Sequence, residues 1–367
     1  MSKLEELIEQ YCPDGVEWKP LGETTTMKRG TSATKGAMQE GNIPVISGGK
    51  QPAFYCNVSN RTGEIITVAG SGAGAGYVQY WNQPIFVCDA FSIQGNETLN
   101  TKYVYYVLTS IQEKIYSTKK GGGVPHVHIS SIDKFEIPVP PLPVQEEIVR
   151  ILDTFTELQA ELQAELQKRQ QQYNFYRDIL LSNMGNNAEY LTISEFAELK
   201  AGKAIKATEL SSIMDDNHSH PCFGGNGIRG FIGKVSHIGD YAIIGRQGAL
   251  CGCVNWASGK FYATEHAVVC TPRPNVSSRY LYHLFTVADL NQYKSQGAQP
   301  GLSVQRLNEL VFPIPPLEEQ NRIVSILDRF DTLTNDLTSG LPAEMEKRRQ
   351  QYEYYRDRLL TFKRKEA

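Results

Sequence analysis

The chain is written twice. Pro140-Pro141-Leu142 is followed by Gln145, Ile148, Val149, Ile151-Leu152-Asp153 and Phe155, and the same order returns as Pro315-Pro316-Leu317, Gln320, Ile323, Val324, Ile326-Leu327-Asp328 and Phe330, an offset of 175 (140 to 315). Further on, Gln171-Gln172-Tyr173 with Tyr176-Arg177-Asp178 returns as Gln350-Gln351-Tyr352 with Tyr355-Arg356-Asp357, an offset of 179 (173 to 352). A period this long is a duplicated domain plus helix, well beyond the roughly 20–50 residues of a solenoid repeat. Two related halves joined by long helices suit a protein that grips two related things at a fixed separation.

At 367 residues each half is large enough to bury a core of its own. Residues 3–10 read as a short helix ending before Cys12-Pro13-Asp14-Gly15, a turn signal. From about Val16 to Pro138 the pattern is mixed: Glu64-Ile65-Ile66-Thr67-Val68 and Ile85-Phe86-Val87 read as strands and Tyr103–Ile115 as a helix. The second half repeats the order with Tyr241-Ala242-Ile243-Ile244, Phe261-Tyr262-Ala263-Thr264 and a helix over Tyr280–Tyr293. Glu17-Trp18 before the first half resembles Glu189-Tyr190 before the second. Each half is therefore an α+β domain.

Each domain ends in prolines, Ile137-Pro138-Val139-Pro140-Pro141 and Phe312-Pro313-Ile314-Pro315-Pro316, which disfavour helix before them and fit the first helical turn. Beyond the first, Ile148, Ile151, Leu152, Phe155, Leu158, Leu162 and Leu166 form an apolar stripe at helical spacing. A continuous helix from Val144 to about Leu181 is on the order of 55 Å long at 1.5 Å per residue. Ile323, Ile326, Leu327, Phe330, Leu333 and Leu337 repeat the stripe, which Ser339-Gly340-Leu341-Pro342 interrupts. A narrow apolar seam on a solvated helix needs a partner helix. The simplest closure is an antiparallel pair with a domain at each end, related by a pseudo-two-fold.

These residues carry a family likeness. The duplicated Pro-Pro-Leu, Gln, Ile-Val, Ile-Leu-Asp, Phe stretch, the Gln-Gln-Tyr-x-x-Tyr-Arg-Asp ends and the opening Tyr11-Cys12-Pro13-Asp14-Gly15-Val16-Glu17-Trp18 resemble the specificity (S) subunit of Type I restriction–modification enzymes over nearly the whole chain. The resemblance implies two target recognition domains, each reading one half of a split double-stranded DNA site, separated by conserved helical regions forming an antiparallel coiled coil. It divides the chain into an N-terminal helix at 1–15, a first recognition domain at 16–142, a central helical region at 143–184, a second recognition domain at 185–316 and a C-terminal helical region at 317–367. It also implies two modification (M) subunits docked on the helices, which hold S-adenosylmethionine and methylate adenine. Restriction (R) subunits using ATP and magnesium join in some assemblies. The chain itself then needs no cofactor. The other reading of the tandem pattern is a non-catalytic scaffold whose domains bind protein or another nucleic-acid ligand.

Glu157-Leu158-Gln159-Ala160, Glu161-Leu162-Gln163-Ala164 and Glu165-Leu166-Gln167 form a four-residue repeat inside the long helix. One more unit lengthens a helix by about 6 Å and turns the chain beyond it by about 40°, near the twist of one base pair in a turn of about 10 base pairs. The number of units is thus a candidate ruler for the spacer between half-sites.

Several chemistries are disfavoured. Gly70-Ser71-Gly72-Ala73-Gly74-Ala75, with Asp89 beyond it, fits a loose dinucleotide pattern, yet Tyr77-Val78-Gln79-Tyr80-Trp81 reads as a strand where a helix should follow. The matching loop Gly245-Arg246-Gln247-Gly248-Ala249-Leu250-Cys251-Gly252 lacks the pattern. Cys251-x-Cys253 is too short for a zinc knuckle, and His218, His220 and Cys222 have no counterpart set in the first half, so satisfied histidines and small core cysteines are expected. Neither Pro-Pro pair sits in the Asn- or Asp-Pro-Pro-aromatic setting with which adenine methyltransferases hold a flipped base, and no P-loop is present. Seven irregularly spaced cysteines fit reduced thiols in a cytoplasm, and no apolar run approaches a membrane span. The net charge of −3 leaves DNA binding open, since phosphates need local basic patches.

The candidate DNA contacts lie in glycine-rich loops. Lys119-Lys120-Gly121-Gly122-Gly123-Val124-Pro125-His126 follows the helix of the first half and Ser295-Gln296-Gly297-Ala298-Gln299-Pro300-Gly301 that of the second, with Gly122 aligned to Gly297 and Pro125 to Pro300. Lys119 and Lys120 suit phosphates. Lys50, Gln51, Arg61, Ser71 and His126 in the first half, and Asn226, Arg229, Arg246, Gln247, Gln296 and Gln299 in the second, suit base edges. Because the loops share glycine and proline but not polar residues, an asymmetric target is expected.

Overall fold

Glu17-Trp18 and Glu189-Tyr190 each open a short strand that closes its domain. Glu17–Pro20 pairs antiparallel with Glu136–Val139, placing Trp18 opposite Pro138, and Glu189–Thr192 pairs with Val311–Ile314, placing Tyr190 opposite Pro313. The structure, a computed structural model, describes all residues except 1, 122, 183–187, 249, 296–299, 337 and 367. The chain forms two compact units, Met1–Gln163 with Glu344–Ala367, and Ala164–Ala343. The boundary falls within one helix, Leu142–Ser182, as continuous as its apolar stripe predicts.

Unit 1 holds a four-stranded antiparallel sheet in the order Thr25–Arg29, Ala90–Gly95, Glu64–Ala69, Val78–Asn82. Beside it Phe54–Cys56, Ile43–Ile46 and Phe86–Val87 form a three-stranded sheet with one parallel pairing, Ile46 to Val87. Unit 2 repeats both. Ala197–Ala201, Ala267–Pro272, Tyr241–Gly245 and Val254–Ala257 make the four-stranded sheet. Gly227–Ile232, His220–Gly224, Lys260–Ala263 and His237–Ile238 make the other, again with one parallel pairing, Phe223 to Ala263.

One helix backs each main sheet. In unit 1 it is Thr101–Ser110, started by Asn100, whose side chain accepts from the Lys102 and Tyr103 N–H groups. In unit 2 it is Ser278–Val287, started by Ser277. Each is interrupted within the stretch its periodicity predicts, and helical turns resume as Gln112–Tyr116 and as the 3-10 turn Leu290–Tyr293. The first breaks at Ile111 because the next residue, Gln112, is recruited to the sheet: its Nε2 donates to the Gly76 carbonyl (2.8 Å) and its Oε1 accepts from the Val78 N–H (3.1 Å). The second ends before Asp289, which adopts a left-handed φ of 42°, and Asn291 then donates to the Cys251 carbonyl.

The repeated motif residues are the joints between these helices and the long ones. Gln145 and Gln320 are fully buried. Gln145 accepts from the Asn100 N–H (2.8 Å) and donates to Thr98 O (3.0 Å) and Pro140 O (2.6 Å). Gln320 accepts from the Ser277 N–H (2.8 Å) and donates to Asn275 O (3.1 Å) and Pro315 O (2.8 Å). A buried amide must be satisfied in this way, which is why glutamine recurs there. Asp153 accepts from Lys102 Nζ (2.7 Å) and Tyr106 OH (2.5 Å), and Asp328 accepts from Arg279 Nε (2.7 Å) and pairs with His283 Nε2 (2.7 Å). Tyr103 and Tyr280 donate to Pro138 O (3.1 Å) and Pro313 O (3.0 Å).

The helical seams fill by halves. In unit 1 Val144, Ile148 and Leu152 of the long helix join the sheet core, with Tyr352 and Leu359 of the helix Leu341–Leu359 packed against it. In unit 2 Tyr173, Leu180 and Leu181 of the same long helix share a core with Ile323 and Leu327 of the helix Leu317–Asn335. Leu337, the last of the second stripe, lies outside the described residues.

Candidate nucleic-acid interface

In each unit three backbone segments are laced together beyond the sheets. In unit 1 the Gly72 N–H donates to Pro125 O (3.0 Å), the Val127 N–H to Gly70 O (3.0 Å), and Lys120 and His126 exchange both backbone hydrogen bonds (2.9 and 2.8 Å). In unit 2 the Gly248 N–H donates to Pro300 O (3.0 Å), the Leu302 N–H to Arg246 O (2.8 Å), and the Ser295 N–H to Gly301 O (2.9 Å). A third segment sits so close that only glycine fits. A Cβ on Gly48 would lie 2.2 Å from Ser71 O, and one on Gly225 would lie 2.6 Å from Gln247 O.

This lacing aligns the halves residue by residue. Ser71 bridges to His126 as Gln247 bridges to Gly301. The Gly70 N–H donates to Asp89 O (3.1 Å) as the Arg246 N–H donates to His266 O (2.8 Å). The pairing of Pro125 with Pro300 expected from the repeat is the one observed; that of Gly122 with Gly297 lies outside the described residues.

Asn226, Arg246 and Gln247 line one cavity of about 830 Å³ in unit 2, together with His266, Ser295 and Ser303. Arg246 is half-buried and steadied by a long hydrogen bond from its Nε to Leu302 O (3.4 Å), while Asn226 and Gln247 are exposed. Arg229 is exposed on the strand Gly227–Ile232 and does not line this cavity. Gln296 and Gln299 lie outside the described residues.

The corresponding cavity of unit 1, about 300 Å³, is lined by Arg29, Asp89, His126 and His128, the two imidazoles stacked at 6.0 Å and 2°. Ser71 is tied to it, its hydroxyl donating to the Asp89 carboxylate. Lys120 is exposed; Lys119 lies over the Tyr116 ring at 4.1 Å and Lys50 over the Tyr77 ring at 5.1 Å. Gln51 is exposed next to Lys50. Arg61 does not line this cavity; its guanidinium donates to Ser92 Oγ (2.7 Å), Asn60 O (2.7 Å) and the carbonyl of the lining residue Arg29 (2.8 Å).

Arg29, Asp89, His128, His266 and Ser303 are cavity residues that the sequence patterns did not single out as DNA contacts. Aligning the halves through the short strands Phe86–Val87 and Lys260–Ala263 would have found Asp89 and His266, which lie just beyond those strands. The loop 70–77 leads into the strand Val78–Asn82, as its residues predict. Cys222 and Cys251 are fully buried, burial pushes the Cys222 thiol up to about 11, and all seven cysteines are free. Among the described residues no group of three or more His, Cys, Asp or Glu is placed to hold a metal ion, and no helix is long and apolar enough to cross a membrane.

Two homologous α+β domains, each carrying a polar cavity of its own composition and each joined to shared helices, define a duplicated recognition protein. The family model described as Type I restriction modification DNA specificity domain matches residues 13–169 and 186–347, and the chain belongs to that family. It is 36% identical to the Type I restriction enzyme EcoprrI specificity subunit of Escherichia coli, over 92% of each chain. It is 31% identical to the EcoR124I/EcoR124II specificity subunit of the same organism, over 100% of this chain and 98% of that one. Among solved structures the fold is similar to a Type I restriction–modification S subunit from M. genitalium, with a TM-score of 0.69 at 18% identity, covering 94% of this chain and 96% of that one. A second chain, from work on complex assembly and conformational transition of the type I R-M system, matches with a TM-score of 0.56 at 18% identity, covering 94% and 97%.

Proposed function

We propose that this chain is the non-catalytic DNA-reading subunit of a Type I restriction–modification assembly, each unit reading one half of an asymmetric bipartite site. The observation that carries the reading is the duplicated loop lacing, which presents the same frame in both units with different polar side chains. Lys119 and Lys120 neutralise phosphates beside the first cavity; they set register without reading sequence. Arg246, Gln247 and Asn226 meet base edges in the second, where arginine complements guanine and amides complement adenine. A shared frame with unlike side chains makes the half-sites differ. Recognition domains at 16–142 and 185–316 carry the readers, and the helical regions at 143–184 and 317–367 space them and dock two modification subunits.

In this assembly S-adenosylmethionine belongs to the modification subunits, ATP and magnesium belong to restriction subunits where these join, and the complex works in the cytoplasm. The family membership and the relatives named as specificity subunits support the reading. The experiment is co-expression with the methylating subunit from the same locus in a methylation-free host, with single-molecule mapping of methyladenine. The expected result is a bipartite, asymmetric motif that vanishes without this chain. A soluble, assembled complex that methylates no motif would refute the reading.

A further inference from the structure

The cavities of the two units differ at one aligned place. Where unit 2 has Gln247 and His266, unit 1 has Ser71 and Asp89. Asp89 is exposed at the cavity rim and forms no ion pair with a Lys or Arg of the described residues, although Arg29 lines the same cavity. One carboxylate oxygen, Oδ2, accepts from the Ser71 hydroxyl. The backbone around Asp89 is fixed as well: its carbonyl receives the Gly70 N–H at 3.1 Å, and a Cβ on Gly70 would lie 3.3 Å from its Oδ1. Oδ1 has no hydrogen-bond partner among the described residues, on a carboxylate aimed by Ser71.

An exposed carboxylate within a DNA-reading surface is repelled by phosphates. Its complement is a base amino group, because in the major groove only cytosine N4 and adenine N6 present N–H donors. Resting on the DNA-reading proposal, we propose that Asp89 is a specificity-determining residue of unit 1. Its Oδ1 accepts a hydrogen bond from one exocyclic amino group, of cytosine or adenine, in one half-site. Ser71 is its positioning residue. His266, at the aligned place of unit 2, cannot present a carboxylate, so the other half-site carries no equivalent contact.

The test uses the full chain assembled with its methylating partner and duplexes bearing the mapped site. In turn, each adenine is replaced by purine and each cytosine by 2-pyrimidinone, analogues that lack only the exocyclic amino group. The wild-type complex should lose about 10-fold in affinity at the contacted position. The Asp89→Ala complex, which has no acceptor there, should have lost that sensitivity at this one position, in one half-site, while responding like wild type everywhere else. Asp89→Glu, which keeps the charge but moves the carboxylate by one methylene, should lose it at the same position. Its methyladenine map should show that position relaxed and the other half-site intact. If both variants keep the wild-type sensitivity at every position, Asp89 does not read a base. A wild-type complex with no mapped site would instead sink the DNA-reading proposal.

Discussion

Phe155 stacks on Tyr355, ring centroids 5.5 Å apart and planes 24° from parallel. Its repeat partner Phe330 stacks on Tyr176 at 5.7 Å and 26°. The long helix thus lends a phenylalanine to the seam of unit 1 and a tyrosine to that of unit 2, and one contact is made twice with the donors exchanged. Stacked aromatic pairs contribute about 0.5–1.5 kcal/mol beyond the area they bury. Phe155→Ala and Phe330→Ala should each lower stability by about 3 kcal/mol, at the lower end for aromatic truncations because both rings sit on solvated helices. Hydrogen exchange should localise the first loss to residues 142–163 and 344–359 and the second to 164–182 and 317–335.

Gln145 joins three backbone groups at the root of the long helix, and its loss orphans them. Gln145→Leu should destabilise unit 1 by about 2 kcal/mol, the cost of leaving buried amide and carbonyl groups unpaired. Gln320→Leu should do the same in unit 2. Denaturant midpoints at unchanged m-value would measure it, and a variant as stable as wild type would show that water replaces the amide.

Glu147 sits between Arg150 and Lys3, its side chain 3% exposed. The Arg150 guanidinium, with Lys3 adding to it against the opposing effect of burial, holds its carboxyl down at about 2. A depressed carboxyl stabilises the fold above its ordinary pKa, and that contribution is lost as pH falls toward the folded value. Glu147→Gln should therefore melt below wild type at pH 7. The gap should narrow from about pH 4.5 downward and close near pH 2 in paired thermal melts.

Arg246→Ala should abolish recognition of one half-site while the chain still assembles with its methylating partner, because Arg246 lines the cavity of unit 2, its other bonds are made by backbone atoms that alanine keeps, and its side chain gives the fold only a long bond to Leu302 O. Methyladenine mapping beside size-exclusion chromatography separates the two effects. An unchanged motif would remove Arg246 from the reading surface.

Deleting Glu161–Ala164 shortens the central helix by about 6 Å and turns it by about 40°. The spacer of the methylated motif should change with both half-sequences intact. A change in either half-sequence would mean that the repeat does more than measure.

How much of this was legible in the sequence depended on range. The helix Leu142–Ser182, the strands Glu64–Ala69 and Tyr241–Gly245 and the matching of Glu17-Trp18 with Glu189-Tyr190 rest on local periodicity or direct repetition, and all are present. The breaks within the two expected helices were hidden because the side chains of Gln112 and Asn291 bind loops 36 and 40 positions away. The commitment of Arg61 to Ser92 and Arg29 was equally invisible, since an arginine in a loop looks the same whether it meets DNA or its own backbone. Asp89 and His266 reach the cavities through the lacing of two distant loops, which becomes legible only when the two halves are aligned through the strands Phe86–Val87 and Lys260–Ala263.

Unit 1 closes on a stretch of chain made long after the rest of it. The Val16 N–H donates to Lys363 O (2.9 Å) and the Lys365 N–H returns to Val16 O (2.9 Å), while unit 2 is continuous from Ala164 to Ala343. During synthesis the order of completion is therefore inverted. The unit begun second has all its residues first, and the unit begun first waits, Phe155 without Tyr355 and Val16 without its backbone partners, until the helix Leu341–Leu359 and the stretch beyond it have been made.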